Sequence, residues 1–136
     1  MFYAVIDTNV LVSSLITEDD RSPTMAVLRA IKDKKITPVY SAYLLDEYRE
    51  VLSRDKFKVS KESTTLVMEL FTKNGICFEP ETKSIVLPDM DDAPIYLIAM
   101  QTRSLDSYLV TGNKKHYPDV DYVVTPRKMI EIMNTR

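Results

Sequence analysis

The sequence has 136 residues, of which 45% are hydrophobic, and its formal net charge is −2. This length and hydrophobic fraction predict a single domain over residues 1–136 with a core of its own. No apolar run approaches the roughly 20 residues that a membrane-spanning helix needs. The N-terminus also lacks the pattern of a signal peptide. The charge does not point to a broadly basic nucleic-acid surface, although local groups of Lys and Arg are available for phosphate contacts.

The single cysteine, Cys77, has no partner for a disulfide within the chain. It lies between Ile76 and Phe78, and these apolar neighbours predict a small residue of the core. With one cysteine and no membrane segment, we expect a cytoplasmic protein.

Strand and helix patterns alternate along the chain. The predicted strands are short apolar runs at 2–6, 36–40, 76–78, 108–111 and 122–125. The predicted helices have apolar residues at helical spacing, and several begin at a capping Ser or a Pro; they span 10–15, 23–31, 42–53, 61–74, 93–102 and 126–133. This alternation predicts an α/β fold of three layers, α/β/α, with a mainly parallel sheet of about five strands.

The first predicted strand ends in three short polar side chains, Asp7, Thr8 and Asn9. An Asx turn or a helix cap would account for one of them. The carboxyl edge of an open α/β sheet is also where such proteins build their sites. At this point Asp7 has two interpretations, a turn residue or the first carboxylate of a site.

Two further places put carboxylates where an ordinary surface explains them only in part. Glu47 borders the apolar stripe of the third predicted helix, where a carboxylate needs an ion-pair partner or a cation. Asp92 suits the N-cap of the helix that follows it, but Asp89 and Asp91 lie close by. The mutual repulsion of three acids in four residues favours either an exposed loop or a bound cation.

A second strand end resembles the first, because Thr111, Gly112 and Asn113 follow the strand at 108–111. In a parallel sheet both ends lie on one rim, so Asp7 and Asn113 can face a common cleft. Carboxylates about 5 Å apart repel by roughly 3 kcal/mol per pair at an effective dielectric constant of about 20. Such a cluster needs a cation or a raised pKa.

Oxygen ligands of this kind suit Mg²⁺ or Mn²⁺. Zinc fits poorly, since the chain has one Cys and one His. The single His, His116, is predicted to be a surface residue.

Four blocks of the sequence together resemble a known family. They are AVIDTNVLVS at 4–13, SAYLLDEYREVLSR at 41–54, PDMDDAP at 88–94 and YLVTGNK at 108–114. In this order they resemble a PIN domain, and most closely the group that includes toxin components of bacterial toxin–antitoxin pairs. The resemblance covers nearly the whole chain and implies a parallel sheet between helices with a Mg²⁺- or Mn²⁺-dependent ribonuclease site.

The resemblance also implies which residues form that site. Asp7, Glu47 and Asp92 fall on the family's acidic positions and would act as metal ligands and catalytic carboxylates. Asp89 matches an additional acid that often precedes the third position. Asn113 stands where the family usually carries Asp, so it would be a metal ligand without a charge, and the number of metals, one or two, stays open.

Other residues would support these ligands or the substrate. Three neighbours would orient ligands or bound waters: Thr8, Asn9 and Thr111. Three basic residues are candidate phosphate contacts: Lys114, Lys115 and Arg54. The partners implied by the family are RNA, a cognate antitoxin protein and a second copy of the chain in a homo-oligomer.

Two other classes of function are compatible with parts of the sequence. One is a non-catalytic PIN-like module that binds RNA or a protein, which the neutral Asn113 would suit. The other is a phosphoryl-transfer protein, either a phosphatase with an aspartyl nucleophile or a receiver domain, since both use an Asp at the end of a first strand. The phosphatase pattern requires a second Asp at the position of Asn9, and a receiver requires an acid pair before the phosphorylated strand end; neither pattern matches well.

Overall fold

The computed structural model describes residues 1–135, which form a five-stranded sheet with six α-helices. The strands are β1 (Phe2–Ile6), β2 (Ile36–Tyr40), β3 (Ile76–Cys77), β4 (Tyr108–Val110) and β5 (Val123–Val124). The helices are α1 (Thr8–Ile16), α2 (Pro23–Lys32), α3 (Ala42–Leu52), α4 (Lys61–Asn74), α5 (Ala93–Gln101) and α6 (Pro126–Asn134). Single 3₁₀ turns cover Asp55–Phe57, Met90–Asp92, Arg103–Leu105 and Lys114–His116.

The sheet is parallel throughout, with the strand order β3-β2-β1-β4-β5. In β1 the consecutive residues Ala4, Val5 and Ile6 are all buried. Because neighbouring residues of a strand point to opposite faces, both faces of the sheet centre must be covered. The predicted α/β fold with its three α/β/α layers is therefore confirmed.

Local signals in the sequence set the helix starts. The side chains of Ser22, Ser41, Ser60 and Thr125 cap α2, α3, α4 and α6. The first helix begins two residues earlier than its apolar pattern predicts, because the carbonyl of Asp7 accepts hydrogen bonds from the backbone of the next turn. Within residues 1–135, no helix is both long enough and apolar enough to cross a membrane.

The prediction that Cys77 belongs to the core is wrong. It lies in β3, which pairs only with β2 and forms one edge of the sheet. Both residues of this strand are exposed, and the Cys77 thiol faces a carboxylate oxygen of Glu79 at 3.5 Å. Apolar neighbours in sequence do not reveal that a strand lies at an edge.

The strand order also locates the place where a site can form. From β1 the chain continues to β2 and β3 on one side, and β4 and β5 lie on the other side. Such a reversal opens a crevice at the carboxyl ends of the two central strands. Here those ends are Ile6 of β1 and Val110 of β4, which pair in register. The backbone N–H of Asp7 donates to the carbonyl of Val110 at 2.9 Å, so the residues that follow the two strands lie side by side.

Gly75 gives a test of this packing, because α4 ends at the point where its backbone passes β2. A Cβ atom at Gly75 would lie 2.5 Å from the carbonyl oxygens of both Phe71 and Pro38. We expect Gly75→Ala to lower the free energy of unfolding by about 1–3 kcal/mol, the usual cost of overpacking. Urea denaturation measures this loss. Gly112→Ala is the control, because its Cβ would meet only the Asn9 side chain, at 3.4 Å; an equal loss in both variants would contradict the steric argument.

Candidate metal centre

Asp7 is the first residue after β1, and its carboxylate turns toward β4. One of its oxygens, Oδ2, accepts a hydrogen bond from the hydroxyl of Thr111 at 2.7 Å and another from the hydroxyl of Tyr117 at 2.9 Å. Asp7 occupies the N-cap position of α1, but its side chain makes no capping hydrogen bond. The turn or cap interpretation thus explains its backbone and not its side chain, which is only 6% exposed.

Glu47 projects from α3 toward the start of α1. Its Oε2 accepts a short hydrogen bond from the hydroxyl of Thr8, the first residue of α1. Among the ion pairs of residues 1–135, none involves Glu47. The alternative interpretation of Glu47 as half of a salt bridge is therefore not what the structure shows.

Asp92 lies at the end of a 3₁₀ turn and directly before α5. It was expected to cap that helix, yet its side chain makes no capping hydrogen bond. Its Oδ2 is buried and has no hydrogen-bond partner; Nδ1 of His116 approaches it at 3.4 Å. The carboxylate of Asp89 accepts a hydrogen bond from the Asp91 N–H at 3.0 Å and so caps the 3₁₀ turn Met90–Asp92, which ends at Asp92.

The pKa of Asp92 reflects the charges of the other acids at this rim. Burial is the largest cause that raises the pKa of the Asp92 carboxyl, and the charges of Asp7 and Asp89 raise it further. His116 lowers this pKa, and Glu47 adds a smaller increase. Ionised Asp92 is thus at a disadvantage in the folded protein, which a nearby cation would relieve.

Together with burial, the charges of the same acids raise the pKa of two tyrosines, Tyr117 and Tyr48. The pKa of Tyr117 is raised above its ordinary range, first by burial and then by the charges of Asp7, Asp92 and Glu47. The pKa of Tyr48 is raised by burial and by Asp7 and Glu47. The hydroxyl of Tyr48 also donates a short hydrogen bond to the carbonyl of Ile6, which fixes the end of β1 just before Asp7.

These residues offer the oxygen ligands that Mg²⁺ and Mn²⁺ prefer, and the buried Asp92 Oδ2 without a partner is an atom that such an ion could satisfy. No three acid, His or Cys side chains within residues 1–135 lie close enough to hold a metal directly. Mg²⁺ commonly uses one or two carboxylates and keeps several waters. The donor set therefore fits a hydrated ion held by few direct contacts.

Each of the three residues expected to orient the ligands, Thr8, Asn9 and Thr111, makes a side-chain hydrogen bond at this rim. The amide oxygen of Asn9 accepts a hydrogen bond from the N–H of Gly112 at 3.2 Å, which joins the β1 and β4 ends. Thr111 contacts Asp7, as described above, and its hydroxyl also accepts from the N–H of Asn113 at 3.0 Å. The Asn113 side chain is exposed and makes no hydrogen bond within the described part of the chain.

The basic candidates differ in their surroundings. Lys114 and Lys115 are exposed on the turn that follows Asn113, on the same rim as Asp7. Arg54 instead pairs with Glu50, one turn earlier on α3, at 2.8 Å. The structure thus places the two lysines on the rim that carries Asp7, whereas Arg54 is paired with Glu50.

Sequence reasoning missed two contacts of this site. Tyr117 was not singled out, because nothing in its spacing marks a hydroxyl that reaches Asp7. His116 was predicted to be a surface residue, and its side chain is indeed 41% exposed, but the pairing with Asp92 was not foreseen. Their position in the short turn after β4, next to the polar strand end, was the available signal.

A comparison with protein families supports the resemblance noted in the sequence. The model of one family, the PIN domain, matches residues 3–115. No curated protein matches the chain. No solved structure matches it either.

The raised pKa of Asp92 predicts a stabilising substitution. A carboxyl whose pKa is raised by folding contributes stability below its unfolded value, and that contribution is lost as the pH rises through the folded pKa. In EDTA near pH 8, Asp92→Asn should therefore have a higher melting temperature than the wild type, and the difference should shrink toward about pH 4. Thermal melts across this range measure it.

The matched control is Asp91→Asn, which removes an exposed acid from the same 3₁₀ turn. It should change the melting temperature little at any pH. An Asp92→Asn protein that melts below the wild type near pH 8 would show that Asp92 is not disfavoured by its neighbours.

Proposed function

This chain belongs to the PIN domain family, whose members are generally metal-dependent nucleases, and we propose that it hydrolyses RNA phosphodiester bonds with Mg²⁺ or Mn²⁺. We also propose that it does so as one domain over residues 1–136 and as the toxin of a toxin–antitoxin pair. One observation carries the proposal. Asp92, whose pKa is raised by burial and by the charge of the strand-end acid Asp7, keeps a buried carboxylate oxygen without a hydrogen bond.

In this proposal Asp7, Glu47 and Asp92 hold the ion, in part through its bound waters, and form the catalytic centre. Asp89 and Asn113 are additional ligands, reached directly or through water. When bound, the ion would neutralise charge on the scissile phosphate and lower the pKa of a bound water. The protein side chains need not act as nucleophiles.

Neighbouring residues would prepare these carboxylates for the reaction. The hydroxyl of Thr8 holds Glu47, and that of Thr111 holds Asp7. Asn9 joins the two strand ends through Gly112. Partners of this kind fix the orientation of metal ligands.

Lys114 and Lys115 are proposed to contact the RNA backbone. Both are exposed and adjoin the strand end at Asn113. Arg54 has a lesser place in the proposal, because its guanidinium is engaged by Glu50. Phosphate contacts of this kind position a nucleic acid without reading its sequence.

A non-catalytic PIN-like module that binds RNA or a protein is the second candidate. It is favoured by the neutral Asn113 and by the absence, within residues 1–135, of three acids close enough to hold a metal directly. Binding of a divalent ion separates this candidate from the nuclease.

The partners follow from the family and not from any contact of this chain. As a toxin, the protein would act in the cytoplasm, bind a cognate antitoxin and self-associate as a homo-oligomer. A small DNA-binding or helical companion encoded in the neighbouring gene would support this part of the proposal.

The nuclease proposal predicts Mn²⁺-dependent cleavage of RNA that requires Asp7. Asp7→Asn should lower the cleavage rate by more than the roughly 10–100-fold that loss of an outer partner of a metal ligand costs. Glu47→Gln should have a similar effect, because it also removes a charged ligand. Gel-resolved cleavage of a labelled RNA, with and without EDTA, measures both variants.

Asp46→Asn is the matched control, since Asp46 precedes Glu47 on α3 and its side chain is 79% exposed. Its cleavage rate should equal that of the wild type. Cleavage of equal rate by wild-type and Asp7→Asn proteins would identify a contaminating nuclease and sink the proposal.

Metal binding can be tested apart from catalysis. A ligand at 100 times its Kd stabilises the folded state by about 2.7 kcal/mol, so saturating Mn²⁺ should raise the melting temperature by several degrees. Asp7→Asn should lose this rise. A wild-type protein whose melting temperature does not respond to Mn²⁺ would favour the non-catalytic module.

A further inference from the structure

Asp7 receives two hydrogen bonds on the same oxygen. The hydroxyls of Thr111 and Tyr117 both donate to Oδ2, at 2.7 and 2.9 Å. These are the side-chain hydrogen bonds that Asp7 receives within residues 1–135, and neither reaches the other oxygen, Oδ1. The two oxygens of this carboxylate therefore have different surroundings, one occupied by donors and one open.

The hydroxyl of Tyr117 is held in place by its ring. The side chain is 5% exposed, and the ring stacks on that of Tyr96 with centroids 6.1 Å apart. Tyr96 stacks in turn on Tyr122, and the guanidinium of Arg103 lies 3.6 Å from the Tyr122 ring centre. A ring fixed in such a stack cannot withdraw its hydroxyl from Asp7 without disturbing three neighbours.

The two donors also lie at the two ends of one short segment, residues 111–117. Thr111 directly follows β4, whereas Tyr117 comes after the 3₁₀ turn Lys114–His116. Each hydroxyl opposes rotation of the carboxylate about its Cβ–Cγ bond, since that rotation would break its hydrogen bond. Two donors on one oxygen oppose it more strongly than one, because turning the group breaks both charge-assisted hydrogen bonds at once.

We infer that Tyr117 is a positioning residue of the metal centre, whose hydroxyl, together with Thr111, occupies Oδ2 of Asp7 and leaves Oδ1 as the oxygen offered to the cation. This inference rests on the proposed function, since it assigns a direction to a ligand of that centre. Tyr117 itself contacts neither the ion nor the RNA. Its effect passes through Asp7.

The inference predicts that loss of one hydroxyl weakens metal binding. Tyr117→Phe keeps the ring and its stack on Tyr96 but removes the donor. Outer partners of metal ligands typically contribute about 10–100-fold in affinity, and Thr111 remains, so we expect the Kd for Mn²⁺ to rise about 10-fold. Isothermal titration calorimetry or the electron paramagnetic resonance signal of free Mn²⁺ measures this without any RNA.

Tyr96→Phe is the matched control. It makes the same chemical change one ring further along the stack, where the lost hydroxyl faces Tyr122 at 3.1 Å. It should leave the Kd for Mn²⁺ within about 2-fold of the wild type. Melting in EDTA establishes that both variants are folded before their affinities are compared.

Activity supplies a second readout that a merely structural role would not produce. Tyr117→Phe should need more Mn²⁺ for half-maximal cleavage but reach nearly the wild-type rate when saturated. Thr111→Val should show the same pattern, because it removes the other donor to the same oxygen. This second variant tests the paired arrangement even where Tyr117→Phe does not fold.

The outcomes separate this inference from the proposed function. Wild-type protein that binds Mn²⁺, with an unchanged or lower Kd in Tyr117→Phe, overturns the positioning role and leaves the metal centre standing. An equal loss of affinity in Tyr96→Phe also overturns it, since the effect would then come from the aromatic stack. Wild-type protein that binds no Mn²⁺ overturns the proposed metal centre, and the inference with it.

Discussion

The repulsion among buried acids is the constraint on which the organisation of this rim depends. Asp7, Glu47 and Asp92 come from the end of β1, from α3 and from the start of α5, and the fold brings their charges into range of one another. Such a gathering is unfavourable without a cation. The surrounding hydroxyls of Thr8 and Thr111 offset part of that cost by donating hydrogen bonds to the charged oxygens.

These acids also do not serve the roles that acids have elsewhere in the chain. Asp46 and Glu50 form ion pairs at the surface, and Asp89 caps a turn. Asp7 and Asp92 both stand at N-cap positions, yet neither side chain caps its helix. The Asp7 carboxylate instead accepts hydrogen bonds from Thr111 and Tyr117, and one oxygen of Asp92 has no hydrogen bond and could bind a cation.

Much of the fold follows from sequence patterns that act over short distances. The apolar runs of the strands and the caps at Ser22, Ser41 and Ser60 place the elements within a few residues of their observed bounds. The identity of the edge strand did not follow, because strand order depends on contacts between distant parts of the chain. Cys77 was misassigned to the core for that reason.

In the candidate site, too, local sequence patterns predict some features, whereas others depend on contacts between distant residues. That Asp7 ends a strand and that Glu47 borders an apolar stripe are local facts of the sequence. The hydrogen bond from Tyr117 to Asp7 joins residues 110 positions apart, and no local pattern encodes it. The pairing of His116 with Asp92 is likewise tertiary.

Asn113 shows how the arrangement can tolerate a neutral residue at a position where the family usually carries an acid. Its backbone N–H donates to the hydroxyl of Thr111, which in turn donates to Asp7. This relay uses the main chain of Asn113, so it would be the same for Asp. An amide at this exposed position also adds no further negative charge to a rim where Asp92 is already disfavoured. The support that this strand end gives to Asp7 is therefore independent of the side chain at 113, whereas the charge available for a second metal is not.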